Sequence, residues 1–169
     1  MKPLIETAHL EMREFAECDA QAVFTLCSNE EVTRYTGDSG TVQSSEDAAW
    51  VIKNVWLKEY RENGYGRYAV VEKQSGQVIG FCGFKFNKEL DAPDIGYQLM
   101  PEYWGKGFGT ELVAASLVYG RDVLKLTRAF AEVAVENTAS HKILQKHGFS
   151  FVKRFDKDGM PNHLYVYEF

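Results

Sequence analysis

Alternating glycines between a predicted strand and a predicted helix constrain the fold of this chain more than any other feature. The loop reads Tyr-Trp-Gly-Lys-Gly-Phe-Gly-Thr over residues 103–110. A strand is predicted before it over 93–100, closed by Pro101, and a helical run follows over 110–123. Glycines let a backbone approach a ligand closely, and the free N–H groups of a helix's first turn carry the positive end of its dipole. The sequence therefore predicts a site for an anion such as a pyrophosphate at the start of this helix.

Hydrophobic periodicity predicts alternating strands and helices along the rest of the chain. Strands are predicted at 8–16, 67–73, 77–86, 93–100, 128–135, 149–156 and 162–169, and helices at 20–27, 46–63, 110–123 and 137–147. Turn residues at 74–77 and at Asp158 and Gly159 make two antiparallel hairpins. Asp38, Gly40 and Ser44 interrupt the chain between the first two helices.

Length and pattern together predict one domain spanning residues 1–169. A chain of 169 residues has the size of a single domain, and it contains no linker, repeat or low-complexity tract. We expect an α/β (α+β) fold with a mixed, mostly antiparallel sheet of six to seven strands flanked by about four helices.

Composition excludes several classes of partner. Nineteen Lys and Arg against twenty-four Asp and Glu give a net charge of -5, with both signs interspersed, so we expect no DNA partner. The chain has no apolar secretory leader and no run of about 20 apolar residues, so we expect a cytoplasmic protein without membrane contact. The three cysteines form no C-x-x-C pair and the four histidines show no metal spacing, so no metal site is expected.

Three kinds of phosphate-binding loop place glycines in this way. The P-loop pattern G-x-x-x-x-G-K-[ST] occurs nowhere in the chain, because Lys106 precedes its glycine instead of following it. The dinucleotide pattern G-x-G-x-x-G requires glycine at the position of Thr110, although Glu136 after the next predicted strand would suit a ribose. A loop for the pyrophosphate of coenzyme A is the third interpretation.

Two segments resemble the cofactor motifs of the GNAT acetyltransferase superfamily. Residues 94–113 resemble its acetyl-CoA motif. That motif has Arg or Gln, then two residues, then Gly, any residue, and Gly or Ala. Trp104, Gly107 and Gly109 occupy its first, fourth and sixth positions here. The aromatic residue at the first position is similar to the ribosomal-protein (Rim-type) branch. Residues 133–149 resemble the second cofactor motif, an Asn opening a helix that ends in Gly-Phe.

The resemblance implies a set of residues that bind acetyl-CoA. Its pyrophosphate would lie on the glycine loop, and a backbone N–H near the end of the preceding strand would meet the thioester oxygen. Asn137 would contact the pantetheine arm, although Asn is also a common N-cap residue. The implied cofactor residues are Gln98, Leu99, Met100, Trp104, Gly105, Lys106, Gly107, Phe108, Gly109, Thr110 and Asn137.

The resemblance also implies two catalytic side chains. Asp94 lies where the family often has Glu and would act as general base through water, although an exposed carboxylate at a strand start also fits the sequence. Ser140 would protonate the departing sulfur, because the family's usual Tyr position is Leu144 here and Rim-type members have Ser. A plain hydroxyl in a helix's first turn fits Ser140 as well. Trp50, Trp56 and Tyr60 on the second helix would either line the acceptor pocket or pack in the core.

These features imply an enzyme that moves the acetyl group of acetyl-CoA to a primary amine in a ternary complex. The cysteines have no paired base, so no acyl-enzyme is expected. The acceptor is either a protein's N-terminal α-amine or a small-molecule amine. A non-catalytic acyl-CoA-binding module and a nucleotide-binding protein are the alternatives. The final hairpin is expected to expose a strand edge that could pair with a second copy of the chain, so the sequence is consistent with a monomer and with a homodimer.

Overall fold

A computed structural model describes residues 1–36 and 39–169. Asp38, one of the residues predicted to separate the first two helices, therefore lies outside the described residues. Within these ranges, the strands are β1 (Ile5–Glu6), β2 (Leu10–Arg13), β3 (Arg67–Glu72), β4 (Val78–Asn87), β5 (Ala92–Leu99), β6 (Arg128–Ala134), β7 (Ser150–Lys157) and β8 (Met160–Glu168). They form one sheet in the order β1-β2-β3-β4-β5-β6-β8-β7.

Helices cover both faces of this sheet. They are α1 (Ala20–Cys27), α2 (Glu30–Thr33), α3 (Ser45–Val51), α4 (Leu57–Asn63), α5 (Phe108–Asp122) and α6 (Thr138–Lys146). A π-helical turn, Ile52–Trp56, joins α3 to α4, so the two form one continuous helix. This helix begins where the Ser44 hydroxyl accepts the Asp47 N–H at 3.0 Å, and it ends at Gly64 with φ 78°.

The predicted fold class and both predicted hairpins are confirmed. The described part of the chain holds eight strands instead of six to seven, because β1 contributes one more, and α2 adds a helix to the four that were predicted. β1 has two residues and α2 has four, which is about one period of the strand and helix patterns and too short for a periodicity to show. The first predicted strand, 8–16, is also shorter in the structure, where β2 covers Leu10–Arg13.

The strands β5 and β6 are parallel, and they separate along their length. β5 pairs with β6 at Asp94 and Phe130. By contrast, β4 and β5 stay paired along their length, from Asn87 opposite Ala92 to Gly80 opposite Leu99. The carboxyl ends of β5 and β6 therefore enclose a gap in the sheet. Parallel strands end on the same edge, and α5 and α6 follow β5 and β6 respectively, so both helices begin beside this gap.

Alternation along β3 explains the two layers of core. Tyr68 and Val70 face the layer that includes Leu112 of α5, whereas Ala69 faces the layer of α1 and α3 with Ile52. All of these side chains are almost completely buried. The sheet is therefore covered on both faces, and the gap between β5 and β6 lies at the junction of its antiparallel halves.

Candidate active site

The glycine loop has the backbone conformation of an anion-binding turn. Gly105 and Gly107 have φ of 73° and 81°, in the left-handed region that glycine tolerates. Gly107 is the N-cap of α5, and no side chain of a described residue caps this helix. The N–H groups of Phe108, Gly109 and Thr110 in its first turn therefore stay available for a ligand.

The third glycine of the loop is required by packing. A Cβ on Gly109 would lie 3.0 Å from Ile143 Cδ1 and 3.3 Å from Tyr97 Cε2. A Cβ on Gly105 or Gly107 would meet no atom within 4 Å. Gly109 therefore allows the start of α5 to pack against α6 and against a side chain of β5.

Trp104 attaches the loop to the end of β5. Its indole Nε1 donates to the Leu99 carbonyl at 2.7 Å, although 49% of the residue stays exposed. Lys106 Nζ lies 5.2 Å from the centre of the Tyr103 ring, a cation–π distance. The aromatic residue at this position therefore fixes the loop through a hydrogen bond to the main chain.

The end of β5 leaves one main-chain N–H pointing into the gap. The Met100 N–H donates to the Ile79 carbonyl of β4 at 2.9 Å. Hydrogen-bonded pairs alternate along an antiparallel ladder, so Gln98 also faces β4 and the Leu99 N–H and carbonyl face away from it. The bond from Trp104 to the Leu99 carbonyl agrees with this direction. Among the three predicted residues 98–100, Leu99 therefore has the N–H best placed to meet a ligand.

Two adjoining cavities occupy the gap. The first, about 570 Å³, contains the glycine loop and the start of α5, and the second, about 430 Å³, extends past Asp94 toward Trp56 and Phe81. The two cavities share part of their lining, which forms a common wall. The shared residues are Tyr35, Thr36, Tyr97, Gln98, Asn137 and Ser140. Two ligands could therefore meet at this shared wall.

Asp94 lies in the wall of the 430 Å³ cavity and is buried, not exposed. It retains 9% of its accessible surface. Arg67 Nη2 donates to its Oδ1 at 2.7 Å, and Asn87 Nδ2 donates to its Oδ2 at 3.1 Å. The ion pair with Arg67 and these two hydrogen bonds fix the orientation of the Asp94 carboxylate.

A second carboxylate, Glu132 of β6, lies beside Asp94. Asn87 Nδ2 also donates to Glu132 Oε1 at 3.3 Å, and Lys157 forms an ion pair with Glu132. Sequence reasoning missed Arg67, Asn87 and Glu132. A usable signal was present for Glu132, because a carboxylate inside the otherwise apolar segment 129–135 is unusual for a buried strand.

Ser140 and Asn137 meet at the start of α6. The Asn137 Oδ1 accepts the Ser140 N–H at 3.4 Å, so Asn137 is the N-cap of this helix. The Ser140 hydroxyl lies 3.0 Å from the hydroxyl of Tyr97. Burial raises the pKa of Tyr97 above its usual value, so its phenol stays protonated at neutral pH.

Two other conspicuous side chains have structural partners. His141 Nε2 faces the carbonyls of Ala134 and Val135 at 3.0 and 3.2 Å, which requires a proton on Nε2, while Nδ1 contacts the Tyr165 hydroxyl at 2.7 Å. Trp56 stacks on a core phenylalanine and also lines the 430 Å³ cavity. Tyr60 packs against the core, whereas Trp50 is 61% exposed, and neither of these two lines a cavity described above.

Residues 1–36 and 39–169 contain no cluster of three or more His, Cys, Asp or Glu that could hold a metal ion. No helix among these residues is both long and apolar enough to cross a membrane.

Known proteins support the interpretation of this cleft. The sequence matches the Acetyltransferase (GNAT) domain family over residues 9–150. It is 35% identical over 150 residues to the uncharacterized N-acetyltransferase YoaA of Bacillus subtilis, covering 88% of this chain and 84% of that protein.

Solved structures share the fold. RimL, a ribosomal L7/L12 alpha-N-protein acetyltransferase in complex with coenzyme A, superposes with a TM-score of 0.84 at 18% identity, covering 99% of this chain and 98% of RimL. Spermidine N-acetyltransferase from Vibrio cholerae, in complex with coenzyme A and spermine, has a TM-score of 0.78 at 20% identity and covers 96% of each chain. With the family match over most of its length and an N-acetyltransferase relative, this chain belongs to the GNAT family of acetyltransferases.

Proposed function

We propose that this enzyme transfers the acetyl group of acetyl-CoA directly to a primary amine while both are bound. The meeting of the two cavities at one shared wall carries this proposal. The 570 Å³ cavity, which contains the glycine loop, suits the cofactor, and the 430 Å³ cavity, which contains Asp94, suits the acceptor. Direct transfer requires both ligands to touch at that wall.

The glycine loop and the end of β5 fit acetyl-CoA. The free N–H groups of the first turn of α5 would hold the pyrophosphate, with Gly105 and Gly107 leaving space that a Cβ would occupy. Acetyl-CoA supplies an activated acetyl thioester. The Leu99 N–H would donate to the thioester oxygen as negative charge develops there.

Asp94 and Ser140 would manage the protons of the reaction. The amine nitrogen forms a bond to the acetyl carbon, and the carbon–sulfur bond breaks. Asp94 would accept a proton from the amine, through water, while Ser140 would donate a hydrogen bond to the departing sulfur. Since a thiol has a pKa of about 8.5, the thiolate is already a tolerable leaving group, and Ser140 needs to contribute only modestly.

The acceptor would be either a protein's N-terminal α-amine or a small-molecule amine. The superposed structures include one protein of each kind. Two carboxylates of the acceptor cavity are paired, Asp94 with Arg67 and Glu132 with Lys157. The charge of its third carboxylate, Asp158, is balanced by Lys85, which also lines the cavity. These pairs leave little unbalanced negative charge to attract a polycation, so an amine of low total charge suits the cavity better than a polyamine.

Cofactor binding is tested by thermal unfolding with and without acetyl-CoA. Ligand at 100 times its dissociation constant adds about 2.7 kcal/mol of stability, which raises the midpoint by about 5 to 11 °C in a protein of this size. NAD and ATP are the controls for a general nucleotide site. No shift at millimolar acetyl-CoA, or an equal shift with NAD, would contradict the proposal.

Catalysis is tested by release of free thiol from acetyl-CoA with a panel of peptide α-amines, amino acids and polyamines. We expect Asp94→Asn and Ser140→Ala to lower kcat, Ser140→Ala by about tenfold to a hundredfold. Asp156→Asn and Ser75→Ala change exposed residues of β7 and of the β3–β4 turn, and they should leave kcat unchanged. Binding of acetyl-CoA without turnover of any amine would favour a non-catalytic acyl-CoA-binding module.

A further inference from the structure

We propose that Tyr97 is a positioning residue that orients the Ser140 hydroxyl toward the sulfur of coenzyme A. This inference rests on the proposed function, because it assigns the sulfur to the shared wall of the two cavities. Tyr97 lies on β5 beyond the point at which β5 and β6 separate. Its hydroxyl lies 3.0 Å from Ser140 Oγ, and both residues line both cavities.

The position of the Tyr97 ring is fixed by its surroundings. The ring packs against the main chain of Gly109 at the start of α5, where a Cβ would lie 3.3 Å from Cε2. It also belongs to the contacts of both apolar clusters on this side of the sheet. A ring held on several sides keeps its hydroxyl at one place, which is what a positioning hydrogen bond requires.

Either hydroxyl can donate the Tyr97–Ser140 hydrogen bond, and the proposal requires Tyr97 to be the donor. A protonated phenol has one hydrogen, and Ser140 is the side chain 3.0 Å from it. When Tyr97 donates to Ser140 Oγ, the hydrogen of Ser140 has to point elsewhere, and the adjoining space is the shared wall. Negative charge on a sulfur there would favour this order, because each donor in such a chain strengthens the next.

The arrangement stabilises a thiolate without moving a proton from Tyr97. As the carbon–sulfur bond breaks, the electron pair stays on sulfur, and Ser140 donates a hydrogen bond to it. The sulfur takes its proton later from solvent. The same contacts exist when the product coenzyme A is bound, so its thiolate should bind more tightly than its thiol.

The test compares the affinities for coenzyme A and acetyl-CoA between pH 7 and pH 9.5, measured by calorimetry without any acceptor. The two ligands differ only at sulfur, so other titrating groups cancel in their ratio. If binding lowers the thiol pKa by about one unit from 8.5, the affinity for coenzyme A relative to acetyl-CoA rises about five- to tenfold across this range. We expect Tyr97→Phe and Ser140→Ala each to reduce the rise to about twofold or less, and the double variant to reduce it no further.

Tyr119→Phe is the matched control. Tyr119 is a tyrosine of α5 that makes an edge contact with Tyr68 and lies outside the lining of both cavities. The Tyr119→Phe protein should keep the full rise with pH of its affinity for coenzyme A relative to acetyl-CoA. A Tyr97→Phe protein that keeps the full rise, or that loses affinity for both ligands equally at every pH, would overturn the inference while leaving acetyl-CoA binding intact as a finding. A wild-type protein that binds neither ligand would overturn both the inference and the proposed function.

Discussion

Single glycines of the cofactor loop serve different physical needs. Gly107 adopts φ 81° with open space around it, so its requirement is conformational. Gly109 has ordinary φ but touches Ile143 and Tyr97, so its requirement is steric. The motif pattern cannot separate these needs, because both appear in the sequence as one missing side chain.

Replacing Gly107 with alanine separates conformation from ligand binding. A non-glycine residue at this φ costs about 1 to 2 kcal/mol, so Gly107→Ala should lower the free energy of unfolding by about that amount, measured with urea. Gly64 is the control, because its φ is 78°, it also has open space, and it ends α4. Both variants should lose similar stability, whereas only Gly107→Ala should weaken acetyl-CoA binding. Equal affinity in the two variants would argue against a cofactor on this loop.

At the scale of elements, a bulge in β4 shapes the end of β5. The register between β3 and β4 shifts so that Val70 pairs with Gly80 and Val71 with Val78, leaving Ile79 as an extra residue. A Cβ on Gly80 would lie 2.0 Å from the Gln98 carbonyl oxygen. β4 can therefore approach β5 this closely only because position 80 has no side chain.

Gly80→Ala should therefore disturb the end of β5. The added methyl meets main chain, which cannot rotate away, so we expect a loss of about 3 kcal/mol in the free energy of unfolding. The shift would also move Leu99, so the affinity for acetyl-CoA should fall in protein that is still folded. Gly76→Ala in the β3–β4 turn meets open space at φ 71°, so it should cost only the about 1 to 2 kcal/mol of a strained φ and leave acetyl-CoA binding unchanged. Unchanged stability of Gly80→Ala would show that the strands can separate at little cost.

At the scale of the whole molecule, a buried ion pair joins the sheet to the helical layer. Asp19, 6% exposed, accepts from Arg13 Nη1 and Nη2 at 2.8 and 2.9 Å and from the Ala16 N–H at 2.8 Å. Arg13 ends β2, and Asp19 immediately precedes α1. The pair therefore fixes the path of the chain from the sheet to the helical layer that helps to line the 430 Å³ cavity.

Stability should depend on this pair at acid pH. Burial alone would raise the pKa of Asp19, but Arg13 and the Ala16 N–H together hold that pKa below its usual value. The stabilisation is therefore fully present above about pH 4, where an unfolded Asp ionises, and is lost as pH falls through the lowered folded pKa. Asp19→Asn should cost about 3 to 5 kcal/mol at pH 7.

The difference in unfolding free energy between wild type and Asp19→Asn should shrink as the pH falls below 4. Denaturant titrations at several pH values measure it. Asp122→Asn is the control, because Asp122 is paired with its exposed neighbour Arg121 and should contribute little. A difference that stayed constant from pH 7 to pH 2 would show that the Asp19 contact is not electrostatic.

The sequence by itself determined the features that depend on neighbouring residues. Gly64 and Gly148 end helices, Ser44 and Asn137 begin them, and Asp158 with Gly159 turn the last hairpin with φ of 51° and 77°. These residues act through local dihedral preferences and local hydrogen bonds, which a linear pattern reveals. The turn at Gly105 and Gly107 before α5 was predictable for the same reason.

Only the tertiary structure decided how distant residues meet in the site. Arg67, Asn87 and Glu132 surround Asp94 because β4 and β6 lie on either side of β5, and Arg67 of β3 reaches Asp94 across β4. Tyr97 and Ser140, 43 residues apart, come within 3.0 Å. Such contacts depend on register, on the bulge in β4 and on the separation of β5 from β6, and none of these leaves a periodic signal in the sequence.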